Sequence, residues 1–248
     1  MGKNHCSLTQ VNRDFYNHLW QGVELHQAEA FNTWPAISPY FEQCKDRLEI
    51  GPGLRPRLPV EGTQFVDLSP VAVSRLNDAG GQAVVGSIES LSAEDESMDL
   101  VCAFDVLEHI EDDRMALGEI TRVLRKGGVL FLSVPLYQSA WTGFDRLVGH
   151  ARRYEPDALE ALLHAHGITV RRSAAYGMQL ESRMITRVGL WFLKYFSRMA
   201  LSWYNKFVFP RQLKKQQPLI FQPGIIQDPQ VDEVVMECVK RVDAANEG

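Results

Sequence analysis

Arg47-Leu48-Glu49-Ile50-Gly51-Pro52-Gly53 is the stretch on which the reading of the fold depends. An apolar run closing on an acidic residue and two glycines reads as a strand breaking into a tight turn. Gly51 and Gly53 remove the side chains that would keep a ligand off the backbone. In a parallel α/β sheet such a turn sits at the carboxyl end of a strand, where these folds bind ligands. Glycine pairs also end strands with no ligand involved, so the turn alone leaves both readings open. Thr63-Gln64-Phe65-Val66-Asp67-Leu68 is a second β-type run, and Asp67 closes it. A carboxylate at that place can accept both hydroxyls of a ribose lying across the first turn.

Strand and helix signals then alternate. Ser69 caps a helix with Pro70 at its first position, and Gly80-Gly81 ends it. Gln82–Gly86 reads as a third strand. Met98–Asp105 reads as a fourth, buried on both faces because it is almost continuously apolar. Asp112 caps the next helix, Lys126-Gly127-Gly128 ends it, and Val129–Val134 is a fifth strand stopped by Pro135. Pro156 opens another helix and Gly167 closes it before a sixth strand, Ile168–Ser173. Such alternation predicts a parallel, doubly wound α/β sheet. Between Gly53 and the second strand lie only the nine residues Leu54–Gly62, with Pro56 and Pro59 among them. Proline removes donors and clashes inside a helix, so a compact irregular connection is expected there.

Length and composition bound the function. A chain of 248 residues suits one generous α/β domain with an added cap. The net charge of −5 supplies no global basic field for nucleic acid. Cys6, Cys44, Cys102 and Cys238 stand singly, with neither metal spacing nor a disulfide framework. Free thiols in a reducing cytoplasm are expected, and no metal. No apolar run approaches ~18 residues, so no transmembrane segment is expected.

Four ordered motifs resemble those of class I S-adenosylmethionine-dependent methyltransferases. They are Leu48–Gly53, Phe65–Ser69, Phe104–Ile110 and Leu124–Leu130, within residues 46–175. The resemblance implies a Rossmann-like, seven-stranded doubly wound sheet, mostly parallel. Glu233–Lys240 would be its antiparallel last strand, between the fifth and sixth. A helical segment would precede the core over 1–45, a helical cap would be inserted over 176–228, and 229–248 would complete the core. It also implies S-adenosyl-L-methionine as cofactor. Glu49 and Asp67 would fix the ribose side, Gly51, Pro52 and Gly53 would admit the methionine moiety, and Ser87 and Ile88 would hold adenine. Leu68, Ser69, Phe104, Asp105, Val106 and His109 would line the rest, with Tyr16 and Trp20 as an aromatic lid. The bland alternatives stay open: N-terminal helices that merely pack on the sheet edge, and a helix-start histidine bonded to backbone. The chain departs from the family at Arg55, where a third glycine is common. Arg55 and Arg57 would pair with the methionine carboxylate or lie solvated in the loop.

Asp145–Tyr154 contains Gly149-His150-Ala151-Arg152-Arg153-Tyr154, similar to a Gly-His-x-Arg-Arg-Tyr run in a subset of the family. As a loop over the active edge it would supply His150 as a base, Arg152 as an anion ligand and Tyr154 as a pocket wall, with Tyr137 nearby. It reads equally as a structural loop whose arginines bond carbonyls. From Ser182 to Gln227 there are eight Lys and Arg and no acid, so the remainder carries −5 − 8 = −13. Aromatics interleave these charges. A cap burying them, a roof over an anionic substrate with Arg183 as ligand, and a peripheral membrane or dimer surface are the three readings. The function expected is methyl transfer to a small, anionic molecule. The rivals are transfer or cyclisation of the cofactor's aminocarboxypropyl arm, and a non-catalytic relative binding a membrane or protein through its cap. The oligomeric state is left open.

Overall fold

The computed structural model describes residues 8–177 and 197–242. Eight strands form one sheet in the order β3-β2-β1-β4-β5-β8-β6-β7. They are β1 (Arg47–Ile50), β2 (Thr63–Asp67), β3 (Gln82–Val85), β4 (Met98–Phe104), β5 (Leu124–Pro135), β6 (Ile168–Ala175), β7 (Gln222–Pro223) and β8 (Glu233–Lys240). The strands β3-β2-β1-β4-β5 pair in parallel. β8 runs antiparallel between β5 and β6. The expected seven-strand arrangement is therefore present, and the two-residue β7 extends its far edge by pairing with β6.

Local chemistry sets the boundaries. Helix α3 (Pro70–Asp78) starts where the Ser69 hydroxyl accepts Ala72 N–H, and α4 (Asp113–Val123) where Asp112 accepts Met115 N–H. The Lys126–Gly128 turn does not end α4 as expected. The chain enters β5 already at Leu124, and the pairing shifts from Met98↔Leu124 to Leu100↔Val129. Gly127, at φ 77°, lies inside that bulge. The connection Leu54–Gly62 contains no helix, as its prolines require. It folds inward instead, with Leu54 and Leu58 fully buried.

Part of the expected Asp145–Tyr154 loop is helical. Thr142 and Asp145 form a reciprocal capping box that starts α5 (Gly143–Val148), and Gly149 ends it in the left-handed region. Helix α1 (Leu8–Trp20) crosses the carboxyl edge of the sheet. Leu19 and Trp20 pack with Leu54, Ala72 and Leu201. Leu201 belongs to the described part of the expected cap, a helix at Ser197–Trp203, a π-turn at Tyr204–Val208 and a helix at Phe209–Lys214. Residues 178–196, Arg183 among them, lie outside the described residues.

Candidate active site at the carboxyl edge

The ends of β1, β2 and β4 bring the first three motifs together. Gly51 and Gly53 adopt φ of 66° and 55°, a region that favours glycine. A Cβ on Gly51 would lie 2.6 Å from Val106 Cγ2, and one on Gly53 would overlap the Trp20 indole. Both glycines are therefore needed for backbone shape and for close approach. Asp67 ties this turn to the next. It accepts Gly53 N–H at 2.8 Å through one oxygen and Ser69 N–H at 2.7 Å through the other. Burial lifts its carboxyl to about 6, against those two bonds.

Glu49 lies beneath the turn rather than on its ligand side. Its carboxylate accepts the N–H of Arg57 at 2.8 and 3.0 Å and that of Leu58 at 2.9 Å, so it holds the irregular connection in place of a helix. Burial pushes it up to about 7, although these bonds pull it down. Neither reading of the two arginines holds. Arg55 is caged against Phe209 at 3.4 Å, with Trp20 and Tyr204 beyond, and donates to Asn205 Oδ1 at 2.8 Å. Arg57 is 8% exposed, lies 3.8 Å over the Phe31 ring and donates to the Tyr176 hydroxyl at 2.9 Å. Aromatic faces and hydrogen bonds within the fold surround both cations in place of solvent, and Arg55 Nε has no partner among the described residues.

At the end of β4, Asp105 sits at φ 54°, a strained conformation for a non-glycine residue. Ser133 Oγ holds it there, accepting its N–H at 3.0 Å and donating to Oδ1 at 2.6 Å. Glu233, entering on antiparallel β8, is raised by burial and by the adjoining Asp105 carboxyl. Glu108, 1% exposed, is raised by burial and then by Asp105. Phe104 and Val106 flank this acidic group. Tyr137, at φ 59° after β5, has a buried hydroxyl without a partner among the described residues. It packs against the main core.

His109 lies under α1. Its Nε2 is 3.1 Å from the Tyr16 hydroxyl, and its Nδ1 is 3.2 Å from Asn12 Oδ1 and 3.4 Å from Gly149 O. Burial, and next His150, lower it to about 3, so it is neutral. Tyr16 stacks on Trp20, whose ring covers Gly53. The expected lid residues thus lie on the turn and on His109. Ser69 Oγ bonds Asn17 of the same helix at 2.6 Å. Ser87 caps its own turn by accepting Glu89 N–H, and Ile88 is buried among Ile50, Val66 and Leu91.

The Gly149–Tyr154 run divides. His150 reaches the edge, and its Nε2 lies 3.9 Å from Glu108 Oε1. Arg152 and Tyr154 do not. Arg152 pairs with Asp113 at 2.6 Å and donates to Ile110 and Glu111 carbonyls, anchoring the run to α4. Tyr154 is buried, its hydroxyl 3.2 Å from Asp113 Oδ2. Arg152 follows the second of the two readings, an arginine bonding carbonyls in a structural loop, and the partner the sequence did not reveal is Asp113. The reading also missed Asp145, a fully buried hub. It accepts from Thr142, from His150 Nδ1 at 3.0 Å and from Arg153 Nε at 2.8 Å. Burial raises its carboxyl, but these bonds outweigh that and hold it well below the usual range. The capping pattern Thr142-x-x-Asp145 was the available signal.

Two open cavities lie away from this edge. One of about 230 Å³ is walled by Gln64, Asn77, Gln82 and Leu91, and one of about 490 Å³ lies between Trp34, Leu213 and Phe221.

A methyltransferase-domain family matches residues 61–132, the stretch from β2 into β5. A Mycolicibacterium smegmatis protein named "Probable S-adenosylmethionine-dependent methyltransferase/" is 34% identical over 87 residues, covering 34% of each chain. The chain thus spans about a third of that relative's length. Among solved structures, a Thermotoga maritima S-adenosylmethionine-dependent methyltransferase matches with TM-score 0.58 at 16% identity, covering 93% of this chain and 91% of its own. The [4+2]-cyclase SpnF matches with TM-score 0.59 at 15% identity, covering 98% and 100%. At those identities the likeness is one of fold. The matched domain and the sheet are similar to those of S-adenosylmethionine-dependent methyltransferases. The cofactor of those enzymes is S-adenosylmethionine.

Proposed function

We propose that this protein transfers a methyl group from S-adenosylmethionine to a small molecule bound at the carboxyl edge of β1, β2, β4 and β5. The observation that carries the reading is the Asp67–Gly53–Ser69 clasp beside two left-handed glycines. It combines a backbone surface open to close approach, since Gly51 is exposed, with a carboxylate able to accept hydroxyls. Those residues fit the cofactor. When bound, S-adenosylmethionine supplies a methyl group on an already activated sulfonium. The protein's part is then mainly proximity and alignment. Gly51–Gly53 provide the bed, Asp67 the hydroxyl acceptor, Asp105 a strained and fixed wall, and Trp20 with Tyr16 a cover that excludes water. Asp145 holds the proton on His150 Nδ1, which leaves Nε2 free to accept a proton from an acceptor group. His150 is accordingly the residue we place in the base role.

The anionic character of the substrate gains no support from the described residues. Arg152 is committed to Asp113, and Asp105, Glu108 and Glu233 make this part of the edge acidic, with Arg57 and Arg153 facing them. We therefore keep the small-molecule acceptor and leave out its charge. Because the fold is shared with a cyclase, product analysis is the test. Formation of S-adenosylhomocysteine supports methyl transfer, and methylthioadenosine would point to the aminocarboxypropyl arm instead.

A further inference from the structure

Glu108, His109 and His150 converge although 41 residues separate the two histidines. One ligand atom from each lies within 4.8 Å of the others. The histidine rings stand edge to face with centroids 4.6 Å apart. Each ring is turned by what holds its Nδ1. The Asp145 carboxylate takes that of His150, while Asn12 Oδ1 and Gly149 O take that of His109. A carboxylate or carbonyl on one ring nitrogen is the usual support that fixes a metal-ligating histidine and sends its other nitrogen to the ion. The third member is unfinished as it stands. Glu108 is 1% exposed, and its Oε2 has no hydrogen-bond partner among the described residues.

We infer that Glu108, His109 and His150 form a binding site for one divalent first-row metal ion of the zinc or cobalt kind. Two imidazoles and one carboxylate are the donors such ions select, and oxygen-seeking magnesium or calcium would not choose them. Three protein ligands also leave a coordination position for an oxygen or nitrogen of a bound molecule. Tetrahedral zinc, with bonds near 2.0–2.1 Å, sets ligand atoms about 3.3 Å apart. The Glu108–His150 separation of 3.9 Å closes to that by a sub-ångström turn of the two side chains. The ion adds positive charge to the Asp105–Glu108–Glu233 group, which Arg57 and Arg153 already face. The Tyr16 hydroxyl, which donates to His109 Nε2, competes with the ion for that nitrogen. The site was invisible to a search for metal spacing because its ligands come from two distant loops. An ion on His150 Nε2 takes the lone pair that the base role uses, so the two describe the metal-loaded and the metal-free protein; cofactor titration tests methyl transfer separately.

The experiment is equilibrium dialysis and visible spectroscopy of the chelator-treated full chain with cobalt(II), then displacement by zinc. One cobalt per chain is expected, with ligand-field bands that zinc abolishes. Glu108→Gln and His150→Ala should each weaken binding at least roughly tenfold. Tyr16→Phe should tighten it, and His166→Ala, at the far end of the fold, should leave it unchanged. Should a variant fail to fold, X-ray absorption of the wild-type complex still decides. Two imidazole nitrogens with oxygen support the site, and sulfur ligation would overturn it. No saturable binding at millimolar cobalt, or binding indifferent to both ligand substitutions, would also overturn it.

Discussion

Asp67→Ala should separate cofactor binding from folding. The carboxylate accepts Gly53 N–H at 2.8 Å and Ser69 N–H at 2.7 Å. Hydrogen bonds to a charged acceptor contribute about 1.5–3 kcal/mol each, so losing both costs about 3–6 kcal/mol. Burial offsets this. Holding the carboxyl at about 6 instead of 3.8 destabilises the fold by about 3 kcal/mol at neutral pH, a penalty that alanine removes. Because the value of about 6 already includes the two bonds, Asp67→Ala should cost the fold at most about 3 kcal/mol. Cofactor binding has no such compensation, because two hydroxyls lose their charged acceptor. The dissociation constant should rise by roughly tens-fold or more. Urea denaturation reads the first quantity, and calorimetry with S-adenosylhomocysteine reads the second. Wild-type affinity should also increase as pH rises through about 6 and the carboxylate forms, whereas Asp67→Asn should show no such rise. An unchanged dissociation constant in Asp67→Ala would refute the role given to this residue.

Glu49 titrates near 7 when folded and near 4.5 when unfolded. The unfolded chain thus ionises first, and stability falls as pH climbs from about 4.5 to 7. Denaturation of Glu49→Gln across that window should show the variant gaining about 3 kcal/mol relative to wild type. Gly53→Ala should lose about 1–2 kcal/mol to the left-handed backbone alone, and it should expel the Trp20 indole, seen as a red shift of tryptophan emission. Asp145→Ala should cost about 3–5 kcal/mol in chemical denaturation, because it strands the buried Arg153 and His150 side chains. His150→Ala should lower turnover while leaving cofactor affinity nearly unchanged in calorimetry, and equal loss of both would assign it a structural part.

What was legible in the sequence follows from the range of the physics involved. Turns and caps are local, and these were readable: the Gly51–Gly53 break, the helix-free connection that Pro56 and Pro59 force, and the Ser69 and Asp112 caps. The antiparallel strand at Glu233–Lys240 was readable through resemblance to the family. Roles set by distant partners were not. Arg152 looked like a substrate ligand because its carboxylate, Asp113, lies 39 residues earlier on another element. Arg55 looked either solvated or cofactor-bound because its aromatic cage arrives from residues 204–209. Asp145 was passed over because only the folded chain brings His150 and Arg153 onto one buried carboxylate. The bonds that Glu49 accepts from Arg57 and Leu58 were unreadable for the same reason. Nothing in the spacing of residues 54–58 says that their amides will close onto it.

A co-crystal structure with S-adenosylhomocysteine tests the central claim most directly. The account predicts one molecule at the carboxyl edge, with both ribose hydroxyls on the Asp67 carboxylate and the homocysteine arm along Gly51–Gly53 under Trp20. Density for the ligand elsewhere, such as the cavity between Trp34 and Phe221, or no ligand at saturating concentration, would contradict it.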